Sequence, residues 1–142
     1  MKVVLDCNVL FVSISRYSLH HPIFEAFENK RYELIVTTDI LLEYEEIIGN
    51  EMGNLVVQNL LKGIKEASNV HYIHKYFFWD LIKVDPDDNK YVDCAIAASA
   101  DFIVTDDKHF KILADIPFPK VPVISADDFL ETLTGKRLPQ RS

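Results

Sequence analysis

The chain is short of cysteine, of positive charge and of long apolar runs, and each shortage excludes something. Only two cysteines, Cys7 and Cys94, occur in its 142 residues. They make neither a spaced metal-binding pattern nor a disulfide framework, which fits a reducing cytosol and a cytoplasmic location. No apolar stretch approaches the roughly 20 residues that span a bilayer, so no membrane association is expected. The apolar N-terminus is interrupted at Asp6 and carries no cleavage-site pattern, so it does not read as a signal peptide. Lys and Arg number 15 against 22 acids, a net charge of −7. That balance argues against non-specific nucleic-acid binding, which needs clustered bases to neutralise phosphates. It still allows acids gathered in one place, holding metal ions against a phosphate backbone. Internal repeats, low-complexity segments and linkers are absent too.

What is present is enough apolar material for one compact domain, 49% of 142 residues. The domain is expected over residues 1–134, followed by a short basic tail, GKRLPQRS, over 135–142. Short β-branched runs predict strands at KVVLD (2–6), ELIVT (33–37), FIVT (102–105) and VPVI (121–124). Between them the spacing predicts a helix over Pro22–Asn29, entered through proline. A second, capped by Thr38 or Asp39, ends near Gly49, and a third covers Leu55–Ala67. A fourth starts in DPDDNK with Asp87 or Asp88 as cap, and shorter ones follow at 108–113 and 126–133. Residues 70–84 are ambiguous, in part extended. Strands alternating with helices describe an α/β fold, a parallel sheet covered on both faces.

In such a sheet ligands bind beyond the carboxyl ends of the strands. Asp6 ends the first strand, and Asp107 follows the third in VTDD. Glu43 lies about one and a half turns into the helix after the second strand. Asp93 sits among small and apolar neighbours on the helix before FIVT, where an uncompensated charge is costly. Small neighbours such as Ala97 let that helix approach the sheet and bring Asp93 near Asp6. Gathered about 5 Å apart, each pair of carboxylates repels by roughly 3 kcal/mol at an effective dielectric near 20. Such a cluster takes up protons or binds cations. Hard oxygen donors favour Mg²⁺ or Mn²⁺ over Zn²⁺, and one or two such ions can drive phosphodiester hydrolysis.

The D-x-N of Asp6 and Asn8, Glu43, the Asp93 of YVDCAIAA, and the T-x-D of Thr105 and Asp107 together resemble the PIN domain. DPDDNKYVDCAIAASADFIVTDDKHF is similar to the PIN-family toxins of bacterial toxin–antitoxin systems. The resemblance implies a three-layer α/β/α sandwich with a central parallel sheet of four to five strands. It also implies a Mg²⁺- or Mn²⁺-dependent ribonuclease acting on RNA, dimeric, and inhibited by an antitoxin protein. By position it carries the acidic metal site onto Asp6, Glu43, Asp93 and Asp107, with Asn8 and Thr105 in support. The extra acids Asp85, Asp87 and Asp88 leave Asp88 as a substitute or helper, and TDD leaves Asp106 as a rival to Asp107.

Plainer readings stand beside these. Asp6 has an alternative as a turn cap, Asp88 reads first as an N-cap, and Glu45 and Glu46 compete with Glu43. His20 and His21 read as surface, His71 and His74 as one face of a strand, and His109 as close enough to touch substrate. Tyr76, Phe77, Phe78 and Trp79 read as core or dimer surface. Arg16, Lys108, Lys136, Arg137 and Arg141 are the bases considered for phosphate contact. Two other functions compete: a phosphotransfer or phosphatase domain using Asp6, and a catalytically silent protein-binding module. Asn8 stands where such a phosphatase wants a second Asp, and the presence of all four acids argues against the silent module.

Overall fold

The computed structural model describes residues 1–74 and 76–135. The tail beyond Gly135, with the bases Lys136, Arg137 and Arg141, lies outside the described residues. Five strands form one parallel sheet: β1 (Lys2–Leu5), β2 (Glu33–Val36), β3 (Val70–Tyr72), β4 (Phe102–Val104) and β5 (Val123–Ile124), in the order β3-β2-β1-β4-β5. The central strands are apolar on both faces, as a doubly covered parallel sheet requires: Val3, Val4, Leu5, Leu34, Ile35, Val36, Ile103 and Val104 are all buried.

Among the described residues six helices pack around it: α1 (Cys7–Ile14), α2 (His21–Glu28), α3 (Thr38–Met52), α4 (Asn54–Glu66), α5 (Asn89–Ala98) and α6 (Ala126–Thr134). Helix α5 crosses one face, touching β1, β2 and β4. Right-handed crossovers place α1–α2 and α3–α4, which carry the chain from β1 to β2 to β3, on the other face. The result is an α/β/α sandwich, with 3₁₀ turns at Pro86–Asp88 and Lys108–Asp115.

The chain leaves β1 toward β2 on one side and returns to β4 on the other. That makes the gap between the β1 and β4 ends the switch point, where such sheets bind ligands. Asp6 and Asp107 leave their strands there.

Several local expectations are corrected. The apolar run after Asp6 is helical, so the strand stops at Leu5, and Asp6 is the N-cap of α1, accepting from the Asn8 N–H at 3.4 Å. Thr37, not Thr38 or Asp39, caps α3, its hydroxyl accepting from Ile40 N–H at 3.2 Å. Helix α3 runs through Gly49 and stops only at Gly53, whose φ of 92° suits glycine best. The cap in DPDDNK is Asp85, which accepts from Asp87 N–H at 3.3 Å; Asp88 holds the N-cap position of α5 but makes no capping hydrogen bond. The ring cluster is not core, because Phe77 and Phe78 are 68% and 73% exposed.

Candidate metal centre at the carboxyl edge of the sheet

Asp6 is the best-anchored acid at this edge. Its backbone N–H donates to Val104 O at 3.0 Å, extending the β1–β4 ladder by one residue. Its carboxylate receives the Thr105 hydroxyl on Oδ2 at 2.7 Å and the Asn8 N–H on Oδ1. The cap role and the cluster role are therefore the same geometry: a strand that turns at once into a helix aims the capping carboxylate beyond the strand end. Asn8 is exposed and lines, with Asp6, Val9, Val12, Asp106 and Asp107, a groove of about 280 Å³. A larger hollow of about 840 Å³ around Phe110, Ile116 and Pro122 lies elsewhere and is lined by no acid.

Thr105 couples the two strand ends. The hydroxyl that donates to Asp6 accepts the Asp107 N–H at 3.0 Å, and Asp107 in turn accepts the His109 N–H at 2.9 Å, opening the 3₁₀ turn. Asp106, also on the groove, has its carboxylate committed to Ala126 N–H at 2.9 Å, tying down the start of α6. Asp88 comes in from the α5 N-terminus. Burial first, then the charges of Asp85, Asp107 and Asp6, push its carboxyl up to about 6. Asp6 is raised too, by burial first and by Glu43 and Asp107 against the lowering bonds from Thr105 and Asn8.

Glu43 reaches the same edge but is fully engaged. Lys90 Nζ donates to its Oε2 at 2.6 Å, and the Tyr91 hydroxyl donates to its Oε1 in a very short bond. Lys90 also pairs with Asp87 at 3.1 Å. Burial pulls the Lys90 ammonium down, but its bonds to Glu43 and Asp87 outweigh that and leave it above its ordinary value. The Tyr91 oxygen accepts the Cys7 N–H at 3.2 Å, so Glu43 is linked to the turn that carries Asp6.

Asp93 is not brought to this cluster. It is buried, and its Oδ1 accepts the Trp79 N–H at 3.0 Å. Its carboxyl is raised by burial first, and Asp80 is the one charge that adds to this. Asp93 lies beyond the first turn of α5, on the side that holds the 76–82 segment, whereas Asp88 at the helix start faces Asp6. The helix dipole gives the same ordering, since the α5 N-terminus favours an acid there. The acids run in the expected order along the chain, but the third one at the edge is Asp88. Lys90, Tyr91 and His109 were missed as partners; the acid-dense DPDDNKY stretch was the available signal for the first two.

The donor chemistry fits a divalent ion. Asp88 Oδ2 and His109 Nδ1 are buried, lie 3.5 Å apart and make no hydrogen bond. Asp85, Asp88 and His109 can bring ligand atoms within 4.8 Å of one another, the span one ion bridges. Carboxylates that raise one another's pKa, beside orphaned buried donors, are what a cation relieves.

Residues 2–109 match the PIN domain. The chain belongs to the PIN domain family. The fold agrees across nearly the whole molecule. VapBC2 from Rickettsia felis, solved in crystals bound to a DNA fragment from its promoter, contains a similar chain at a TM-score of 0.61 and 16% sequence identity. The match covers 88% of this PIN-domain chain and 98% of that one. No curated protein matches at a significant level. No helix among the described residues is long and apolar enough to cross a membrane.

Proposed function

We propose that this PIN domain is a metal-dependent endoribonuclease that hydrolyses RNA phosphodiester bonds, and that it is the toxin of a toxin–antitoxin pair. The observation that carries the reading is the gathering of Asp6, Asp107 and Asp88 at the sheet's switch point, Asp6 and Asp107 joined through Thr105 and Asp107 and Asp88 set on either side of His109. These three acids are assigned to hold Mg²⁺ or Mn²⁺. Bound there, a divalent ion supplies the charge that polarises a phosphodiester and acidifies water.

The chain's own contribution is orientation. Thr105 and the Asn8 N–H fix the Asp6 carboxylate, and the 3₁₀ turn fixes Asp107. Glu43, held by Lys90 and Tyr91, borders a second groove of about 310 Å³ with Asp39, Leu42 and Glu46, and is assigned to positioning water or substrate rather than to binding the ion directly. Asp93 is assigned to docking the 76–82 segment, and Asp106 to anchoring α6.

The toxin role draws on the similarity to a chain of a toxin–antitoxin complex, and a protein antitoxin is its expected partner. The exposed rings of Phe77, Phe78 and Phe118 support a homodimer, since apolar patches of that kind mark contact surfaces. Two buried, unpaired cysteines agree with a cytoplasmic setting. Residues 1–134 are taken as one domain, with 135–142 as an appended tail.

The test is cleavage of RNA by the purified chain in Mn²⁺ or Mg²⁺, with EDTA as control and Asp6→Asn as variant. The reading expects cleavage that EDTA stops and Asp6→Asn abolishes while the fold survives. Cleavage by Asp6→Asn with unchanged metal dependence would overturn it.

A further inference from the structure

We infer that His109 supplies a nitrogen ligand, through Nδ1, to the divalent ion bound at this edge, and that the centre therefore takes Mn²⁺ in preference to Mg²⁺. The inference rests on the metal-site reading above and adds a donor that an all-carboxylate site lacks.

The geometry separates His109 from the chain's ordinary histidine–acid pairs. His20 Nε2 meets Asp127 at 2.8 Å and His71 Nε2 meets Glu33 at 2.7 Å, both true hydrogen bonds. His109 Nδ1, a buried atom on a ring that is 29% exposed, stands 3.4 Å from Asp107 Oδ1 and 3.5 Å from Asp88 Oδ2, within ion-pair reach of both but without the geometry of a hydrogen bond to either. A charged imidazole free to close on a carboxylate would settle near 2.8 Å. Instead the backbone holds the ring: the His109 N–H is committed to Asp107 at 2.9 Å, which sets the start of the 3₁₀ turn and poises the ring between the two acids. Separations of 3.4 and 3.5 Å suit donors side by side around one ion, because bonds of roughly 2.1 Å at right angles put neighbouring donors about 3 Å apart. Mg²⁺ keeps to oxygen and to water, whereas imidazole nitrogen is a better donor to transition-metal ions, so a mixed set moves selectivity toward Mn²⁺.

The full chain loaded with Mn²⁺ is examined by pulsed EPR, once at natural abundance and once with ¹⁵N-labelled histidine. The inference expects nitrogen modulation of a directly bound imidazole that changes with the label, and its loss in His109→Asn with Mn²⁺ still bound. In that variant Mn²⁺ affinity falls by about tenfold or more while Mg²⁺ affinity moves less, narrowing the preference. Bound Mn²⁺ without histidine modulation in the native protein overturns this inference and leaves the carboxylate site standing. Modulation that persists in His109→Asn also overturns it. A native protein that binds no Mn²⁺ overturns both. The labelled native spectrum decides the matter even where the variant folds poorly.

Discussion

Two halves of one sheet edge treat the same problem, clustered negative charge, in opposite ways. Around Glu43 the chain provides its own cation: Lys90 and the Tyr91 hydroxyl occupy both carboxylate oxygens, and the lysine spans to Asp87. Around Asp6, Asp88 and Asp107 no lysine or arginine among the described residues intervenes. Hydrogen bonds from Thr105 and backbone N–H groups orient the acids, but burial and mutual repulsion still raise Asp6 and Asp88. One acid is neutralised by a lysine, while a few residues away two others have only the His109 ring between them and Asp6 only hydrogen bonds, which is the contrast on which the proposed cation site rests. On the proposed function, the compensated half serves geometry and the uncompensated half serves binding.

The largest expected effect comes from emptying the bare half. Asp6→Asn should remove RNA cleavage below detection, and the metal-free protein should melt no lower than the native one, because a repelling charge is gone while the Thr105 contact can persist. Calorimetry beside a gel assay checks both.

Next in size is an attack on the compensated half. Lys90→Met strands Glu43 and Asp87 without their counter-charge. Breaking a buried pair costs 3–5 kcal/mol; with Lys90 and Glu43 side chains 15% and 18% exposed, about 2 kcal/mol is expected. Chemical denaturation of metal-free protein measures it. Mn²⁺ should recover part of the loss by using the freed Glu43, and a variant as stable as the parent would erase the distinction between the halves.

A smaller effect belongs to pH. The Asp88 carboxyl stands near 6 when folded, above its ordinary 3.8. Between those values the folded chain binds more protons than the unfolded one, so metal-free stability falls as pH rises from about 4 to 6 and is regained on acidification. After discounting for solvent screening the change is about 1 kcal/mol. Denaturation at pH 5 and pH 7 should show it, and Asp88→Asn should flatten the difference.

The smallest change is expected at Asp93. Asp93→Asn keeps an oxygen for the Trp79 N–H and touches neither half, so cleavage should stay within a few-fold of the native rate. A loss as deep as that of Asp6→Asn would return Asp93 to the centre.

That residue also marks how far the sequence could be read. The β1, β2 and β4 runs announced a parallel sheet through nearly continuous apolar composition, and Asp6, Glu43 and Asp107 followed from their places just past strand ends. Asp93 is an acid among small apolar residues, which points to burial, and it is buried. Burial does not say toward what. Its partner is a backbone N–H in a segment without regular structure, a contact that no periodicity encodes. Asp88 reads as a cap because acids before a helix usually are; in the fold it makes no capping bond, Asp85 caps the 3₁₀ turn before it, and Asp88 lies 3.5 Å from His109 instead. The α1 helix stayed hidden because CNVLFVSI is apolar on nearly every side, so it carried no helical period distinct from the strand before it.

The decisive property of the uncompensated half is whether it binds a divalent ion. Mn²⁺ titration of the metal-free chain by calorimetry tests this most directly. Saturable binding to the native protein is predicted, lost in Asp6→Asn and retained in Asp93→Asn. Absence of binding to the native chain, or its loss in Asp93→Asn with survival in Asp6→Asn, would contradict it.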